Sequence, residues 1–196
     1  MQIKYMQLGM VCTNCYIFWA DGSDQCAVVD PGDDGQQVAS LIQGLKLTPV
    51  AILLTHSHFD HVLGIPGLRE TWPDLPVYCH PADIPEEVSE TMFGMTVPTV
   101  AVGPLTVKVI HTPGHTPGSV TLMVEGEGVL FTGDTLFRGS MGRTDLPGGS
   151  YADLTASLKK LAALPGDYKV YPGHEGFSSL DTERKTNFFM QEAMKS

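Results

Sequence analysis

Thr55-His-Ser-His-Phe-Asp-His61 sets three imidazoles and one carboxylate, His56, His58, Asp60 and His61, within six positions. The chain has seven histidines in all, so this concentration is not incidental. Imidazole and carboxylate bind divalent transition metals without needing a reducing environment. At 3.6 residues per turn His56 and His58 would lie on nearly opposite faces of a helix, so the spacing argues against one. Positions two apart at the end of an extended strand point to the same side. Ala51-Ile-Leu-Leu54 is a short apolar run suited to a buried strand, and Gly64-Ile-Pro66 follows as a breaker. The cluster is therefore expected on a loop leaving a strand end. Its donors have mixed parity, which suits two metal ions better than one.

The rest of the chain bounds the setting. At 196 residues it is about one domain, able to bury roughly 70% of its unfolded surface. The 42% apolar and 17% charged residues fit a globular protein, not a disordered one. Twelve basic residues against 22 acidic ones give a formal charge of −10, with no Lys/Arg run to track phosphates, which excludes nucleic acid as the expected partner. The start, Met1-Gln-Ile-Lys-Tyr-Met6, lacks the apolar core of a signal peptide, and no stretch approaches ~20 apolar residues, so a cytoplasmic protein without a membrane span is expected. Cys12, Cys15, Cys26 and Cys79 then read as reduced thiols. Cys12 and Cys15 form a Cys-x-x-Cys pair, but Cys15 opens the strand-like run Cys-Tyr-Ile-Phe-Trp19, so structural thiols are expected over a metal or redox role.

Periodicity predicts strands over Met1–Leu8, Cys15–Trp19 and Gln25–Val29, the last closed by Asp30-Pro-Gly32. A helix over Asp33–Leu45 follows from the spacing of Val38, Leu41, Ile42 and Leu45. Next come a strand (Val50–Leu54), a helix (Leu63–Glu70), a strand (Val77–Cys79) and a short helix (Pro81–Ser89). The second half gives strands at Leu105–Ile110, Ser119–Val124 and Val129–Phe131, with Glu125-Gly-Glu-Gly128 as a hairpin turn. Ser150 is a good N-cap for a helix through Leu164. Tyr168–Tyr171 is a final strand, and Asp181 is the expected cap of a terminal helix. Two packed sheets with helices outside satisfy this order.

Three more segments share one form, an apolar strand followed by Gly and a metal-capable residue: Thr112-Pro-Gly-His115, Phe131-Thr-Gly-Asp134 and Tyr171-Pro-Gly-His174. Glycine lets the backbone turn sharply and brings the next side chain close to a crowded site. Each is weak alone; with the 55–61 cluster they are strong.

On Thr55-His-Ser-His-Phe-Asp-His61, Thr112-Pro-Gly-His-Thr116, Phe131-Thr-Gly-Asp-Thr-Leu-Phe137 and Pro172-Gly-His-Glu175, the chain resembles the metallo-β-lactamase-fold hydrolases, and within them the short bacterial glyoxalase II (hydroxyacylglutathione hydrolase) type. The resemblance implies an α/β (α+β) fold, a four-layer αββα sandwich over residues 1–196 as a single domain, with metals at one edge between the sheets. It implies that His56, His58 and His115 bind one ion, that Asp60, His61 and His174 bind the other, and that Asp134 bridges them. A carboxylate suits that bridge because it offers two oxygens to two ions. The implied cofactors are two divalent cations, zinc first, with iron or manganese also compatible with the donors. The implied reaction is cleavage of a small-molecule thioester, S-lactoylglutathione or a related acyl thioester, by a metal-bridging hydroxide, with Asp60 and Asp134 as catalytic residues.

Arg143, in Gly142-Arg-Thr-Asp145, falls where the family often has a basic residue near the substrate's anionic tail; a substrate role and a surface ion pair both remain open. His80 and His111 are expected as partly buried or surface histidines, with a supporting role behind the donors the alternative for His111, four residues before His115. Full-length glyoxalase II enzymes carry a C-terminal helical segment that grips glutathione. Here 22 residues follow His174, and Gly176 stands where those enzymes place an aromatic residue, so a different or broader thioester is expected. The main rival is a persulfide dioxygenase-like oxidoreductase of the same fold using one iron. A β-lactamase would be expected to carry an export leader, and a nuclease a less acidic surface.

Overall fold

Strand β2 (Thr13–Trp19) shows how side-chain parity divides the core. Tyr16 and Phe18 point into one apolar cluster, whereas Cys15 and Ile17 point into another. The same alternation runs through β3 (Gln25–Val29) and β4 (Thr48–Leu53). Ala27, Val29, Ala51 and Leu53 face the first cluster, and Cys26, Val28 and Ile52 the second. Strands buried on both faces must be covered on both, which forces layers.

Residues 1–84, 92–94 and 99–196 are described by the computed structural model. One sheet has the order β1 (Gln2–Leu8), β2, β3, β4, β5 (Val77–Cys79), β6 (Met92–Gly94). It is antiparallel up to β3 and parallel from there on. The other has the order β14 (Ser178–Ser179), β13 (Lys169–Pro172), β10 (Val129–Gly133), β9 (Val120–Val124), β8 (Leu105–His111), β7 (Thr99–Val102). Within it β10 and β13 run parallel. A small ribbon joins β11 (Leu136–Phe137) to β12 (Ser140–Met141).

Three clusters fill the layers. Between the sheets, Tyr16, Phe18 and Leu53 meet Val107, Leu122 and Phe131. Full burial of a side chain such as Phe18 or Phe131 stabilises by roughly 1.5–3 kcal/mol. Outside the first sheet, α1 (Gly35–Gly44) and α3 (Ile65–Thr71) cover Ile17, Val28 and Ile52 with Val38, Ile42 and Leu68. Outside the second, α4 (Tyr151–Ala162), α5 (Leu180–Thr186) and α6 (Phe188–Lys195) cover Leu130 and Val170 with Leu158, Leu161, Leu180 and Met190. The result is the expected αββα sandwich. Among the described residues no helix is long and apolar enough to cross a membrane.

Several local expectations change. Phe59–Val62 forms a one-turn helix, α2, so Asp60 and His61 are helical; the argument from spacing holds for His56 and His58, which precede it. The helix expected at Leu63–Glu70 begins at Ile65, after that turn. Asp181 is not a cap. Ser179 caps α5 by accepting from Thr182 N, Asn187 caps α6 by accepting from Phe189 N and Met190 N, and Asp181 pairs with Arg184 inside the first turn. Pro81–Asp83 is a single 3₁₀ turn, and positions 85–89 of the helix expected there lie outside the described residues. Ser150 caps α4 as expected, accepting from Asp153 N.

Candidate metal centre

All seven expected donors meet at one edge of the sandwich, because each follows the end of a strand. β4 feeds Leu54 and the histidine loop, and Val120 N donates to Thr55 O (2.8 Å), tying that loop across to the second sheet. His115 follows β8, Asp134 follows β10 and His174 follows β13. Gly114 shows why the turn before His115 takes glycine. Its φ is +136°, and a Cβ there would lie inside 3.0 Å of the Leu154 backbone on α4.

Three overlapping groups of donors form here, one of them His56, His61 and Asp134. Ligand-capable atoms of His56, His58 and His115 lie within 4.8 Å of one another, and so do those of Asp60, His61 and His174. His58 Nδ1 faces His115 Nε2 at 2.8 Å, and His174 Nε2 lies 3.2 Å from Asp60 Oδ2. Asp134 stands between the groups. Its Oδ1 is 3.6 Å from His61 Nε2, and its Oδ2 is 3.5 Å from His115 Nε2 and 3.6 Å from His174 Nε2.

Hydrogen bonding behind the rings fixes which nitrogen is free. The Thr55 hydroxyl donates its single proton to Asp30 Oδ2 (2.6 Å), so its contact with His56 Nδ1 (3.2 Å) requires that nitrogen to donate. Nε2 of His56 then carries a lone pair. His61 Nδ1 lies 3.0 Å from Asp30 Oδ2, and His115 Nδ1 donates to Arg143 O at 2.8 Å. In its neutral form each of these rings turns a bare Nε2 inward, the arrangement that orients metal-binding histidines. Asp60 Oδ2 accepts from Thr13 Oγ1 at 2.9 Å.

Among the described residues, four buried side-chain polar atoms have no hydrogen-bond partner: Asn14 Oδ1, His56 Nε2, His61 Nε2 and Asp134 Oδ1. Three of the four converge here. An unpaired buried polar atom costs about 1–3 kcal/mol, and three clustered acceptors from imidazole and carboxylate fit a cation. The donor set therefore suits divalent metal ions of the zinc, iron or manganese type.

Electrostatics agree. Burial, with neighbouring histidines adding, holds His56 well below the ordinary histidine value, and burial lowers His58 too, so both are neutral with a lone pair to give. Burial would lower His61 as well, but the charge of Asp30 and its hydrogen bond prevail and raise it to about 9. His174 is raised despite burial, through its hydrogen bond with Asp60 and the charge of Asp134. Burial alone would raise Asp60, yet the bonds from His174 and Thr13 and the charge of His61 hold it well below the usual carboxylate range. A cation taken up by His61 must displace its proton.

The cluster floors a pocket of about 500 Å³. Its lining adds Val11, Phe59, Phe137, Ser140, Met141, Arg143, Leu146 and Glu175 to His58, Asp60, His115, Asp134 and His174. Arg143 is thus at the pocket, its side chain paired with Asp145. His80 and His111 lie apart from the cluster, stacked on each other with ring centroids 4.3 Å apart. His111 Nε2 lies 2.9 Å from Pro117 O. The four cysteines are free, and Cys15 is fully buried.

Asp30 was missed in the sequence. Asp30-Pro-Gly32 reads as a strand terminator, and the residue does end β3, at φ +48°. The same buried carboxylate also accepts from Thr55 N (2.8 Å) and orients His61.

Comparison with known proteins is consistent with this geometry. The sequence profile described as the metallo-beta-lactamase superfamily matches residues 10–95 and 96–174. A probable metallo-hydrolase of Bacillus subtilis, YqgX, is 36% identical, with 97% of this chain and 98% of that protein covered. The hydroxyacylglutathione hydrolase GloC of Haemophilus influenzae is 29% identical, with 97% of this chain and 98% of that protein covered. Among solved structures, BLEG-1 B3 metallo-beta-lactamase superposes with a TM-score of 0.85 at 34% identity, covering 96% of this chain and 99% of that one. TTHA1623 in a di-iron-bound form gives 0.83 at 36%, covering 95% and 99%. ETHE1 from Myxococcus xanthus gives 0.85 at 26%, covering 99% and 90%.

Proposed function

The chain belongs to the metallo-beta-lactamase superfamily, as a metal-dependent hydrolase of that fold, and from that premise we propose that it cleaves a small-molecule thioester. In this reading His56, His58 and His115 hold one divalent cation, Asp60, His61 and His174 hold a second, and Asp134 is shared. Residues 1–196 act as one domain, since both sheets contribute donors to one cluster. Zinc is the first candidate metal; iron is supported by the di-iron form of TTHA1623, and manganese is compatible with the donors. When bound, such a pair supplies Lewis-acid polarisation of a carbonyl and a water of lowered pKa.

The protein's own groups do the rest. Asp60, kept ionised at the pocket floor, is placed to orient a water by accepting a hydrogen bond from it. Phe59, Phe137, Met141 and Leu146 shield the reacting centre. The observation that carries the thioester reading concerns the leaving group. Among the described residues lining the pocket there is no lysine, tyrosine or cysteine to protonate it. That favours a leaving group able to depart as an anion, which a thiol of pKa about 8.5 does far more readily than an alcohol or amine. The name of GloC supports the same class. The alternative, a persulfide dioxygenase-like oxidoreductase of the same fold with one iron, is separated from the hydrolase by metal stoichiometry, two ions favouring hydrolysis and one iron oxygen chemistry. The four free cysteines support a reducing, cytoplasmic setting.

The test is direct. Purified protein is assayed for cleavage of S-lactoylglutathione and of uncharged acyl thioesters, before and after chelation and again after adding zinc, iron or manganese. Cleavage of at least one thioester, lost on chelation and restored by metal, is expected. Activity that survives complete removal of metal would refute the reading.

A further inference from the structure

We propose that the pocket selects an uncharged, apolar group beside the scissile bond, and that the Arg143–Asp145 ion pair makes it disfavour an anionic thiol such as glutathione. The inference deepens the thioester reading above and rests on it.

Five apolar side chains line the pocket: Val11, Phe59, Phe137, Met141 and Leu146. Val11 is 50% exposed and Phe59 66% exposed, so large apolar surface stands in water at the mouth beside the donor cluster. Such surface is covered favourably by an apolar ligand. Its position next to Asp60 and His58 puts that part of the ligand close to the reacting carbonyl.

The charges point the same way. Arg143 is the one cation lining the pocket among the described residues. Its Nε and Nη2 both donate to the Asp145 carboxylate at 2.7 Å. This two-pronged match is the geometry in which guanidinium and carboxylate bind best. A substrate carboxylate must displace a partner two residues away in the chain. Glu175 adds another carboxylate to the lining, and Arg138 stands outside it, exposed beside Gly176. Glutathione has two carboxylates against one amine, so among the described residues lining this mouth it meets no cation without a carboxylate partner.

The experiment uses non-hydrolysable thioethers, S-hexylglutathione and S-hexyl-N-acetylcysteamine, titrated by calorimetry into the metal-loaded protein. The neutral ligand is expected to bind roughly tenfold more tightly. Asp145→Asn frees Arg143 and is expected to tighten S-hexylglutathione roughly fivefold. Arg143→Gln in the otherwise native chain is expected to leave that ligand unchanged. S-hexylglutathione binding as tightly as the neutral ligand, or weakening markedly in Arg143→Gln, would overturn the proposal. Turnover of hexanoyl thioesters of the same two thiols is measured in parallel. The expected binding preference without cleavage of either would sink the thioesterase reading and leave the pocket assignment standing.

Discussion

Asp134→Ala is expected to lower turnover by roughly 10³-fold or more and to reduce bound metal below two ions per chain. The carboxylate reaches both donor groups, with Oδ1 toward His61 and Oδ2 toward His115 and His174. No other side chain in the cluster offers two oxygens to both sides. Fold stability should survive, because the residue sits at the sandwich edge and Oδ1 makes no hydrogen bond that the fold depends on. Metal analysis and thermal melts of the same sample check all three points. A variant with full metal occupancy and normal rate would remove Asp134 from its bridging role.

The second large effect is expected from a single methyl group. In Gly173→Ala the new Cβ would lie inside 3.0 Å of both Asp134 Oδ1 and His61 Cε1. Real Cβ atoms essentially never approach so closely, and a short aspartate has little room to swing aside. The Asp134 carboxylate must turn away, and metal affinity is expected to fall roughly 10²-fold. The backbone bonds at this position, Gly173 N to Gly133 O and Asn14 N to Gly173 O, use no side chain and remain. Gly176→Ala, three residues on, is the control. Its Cβ would meet nothing closer than Arg138 Nη1 at 3.8 Å, an ordinary contact, so metal binding should not change. Competition titrations against a chromogenic chelator measure both variants; equal affinities would show that the Gly173 cradle has no role.

The donors were legible because each sits in a local pattern. The 55–61 cluster and the strand-Gly-His or strand-Gly-Asp endings encode in a few residues where a side chain emerges. The layers were legible because alternation in segments such as Cys15–Trp19 assigns alternate side chains to two different cores. What escaped depends on contacts far apart in sequence. Asp30 orients His61 from 31 positions away, and Thr13 steadies Asp60 from 47. Neither relation leaves a local trace. Arg143 was considered for its guanidinium, whereas its carbonyl is what orients His115; backbone groups have no sequence signature. The turn of α2 was hidden for another reason. A four-residue helix is too short for periodicity to register, and His58 starts it without a side-chain cap.

The most direct test of a paired-cation centre is the metal count of the purified, reconstituted chain, by inductively coupled plasma mass spectrometry against protein concentration. Two divalent ions per chain are expected. A single ion at saturation would contradict the account, because His56, His58 and His115 would then hold a cation while Asp60, His61 and His174 stood without one.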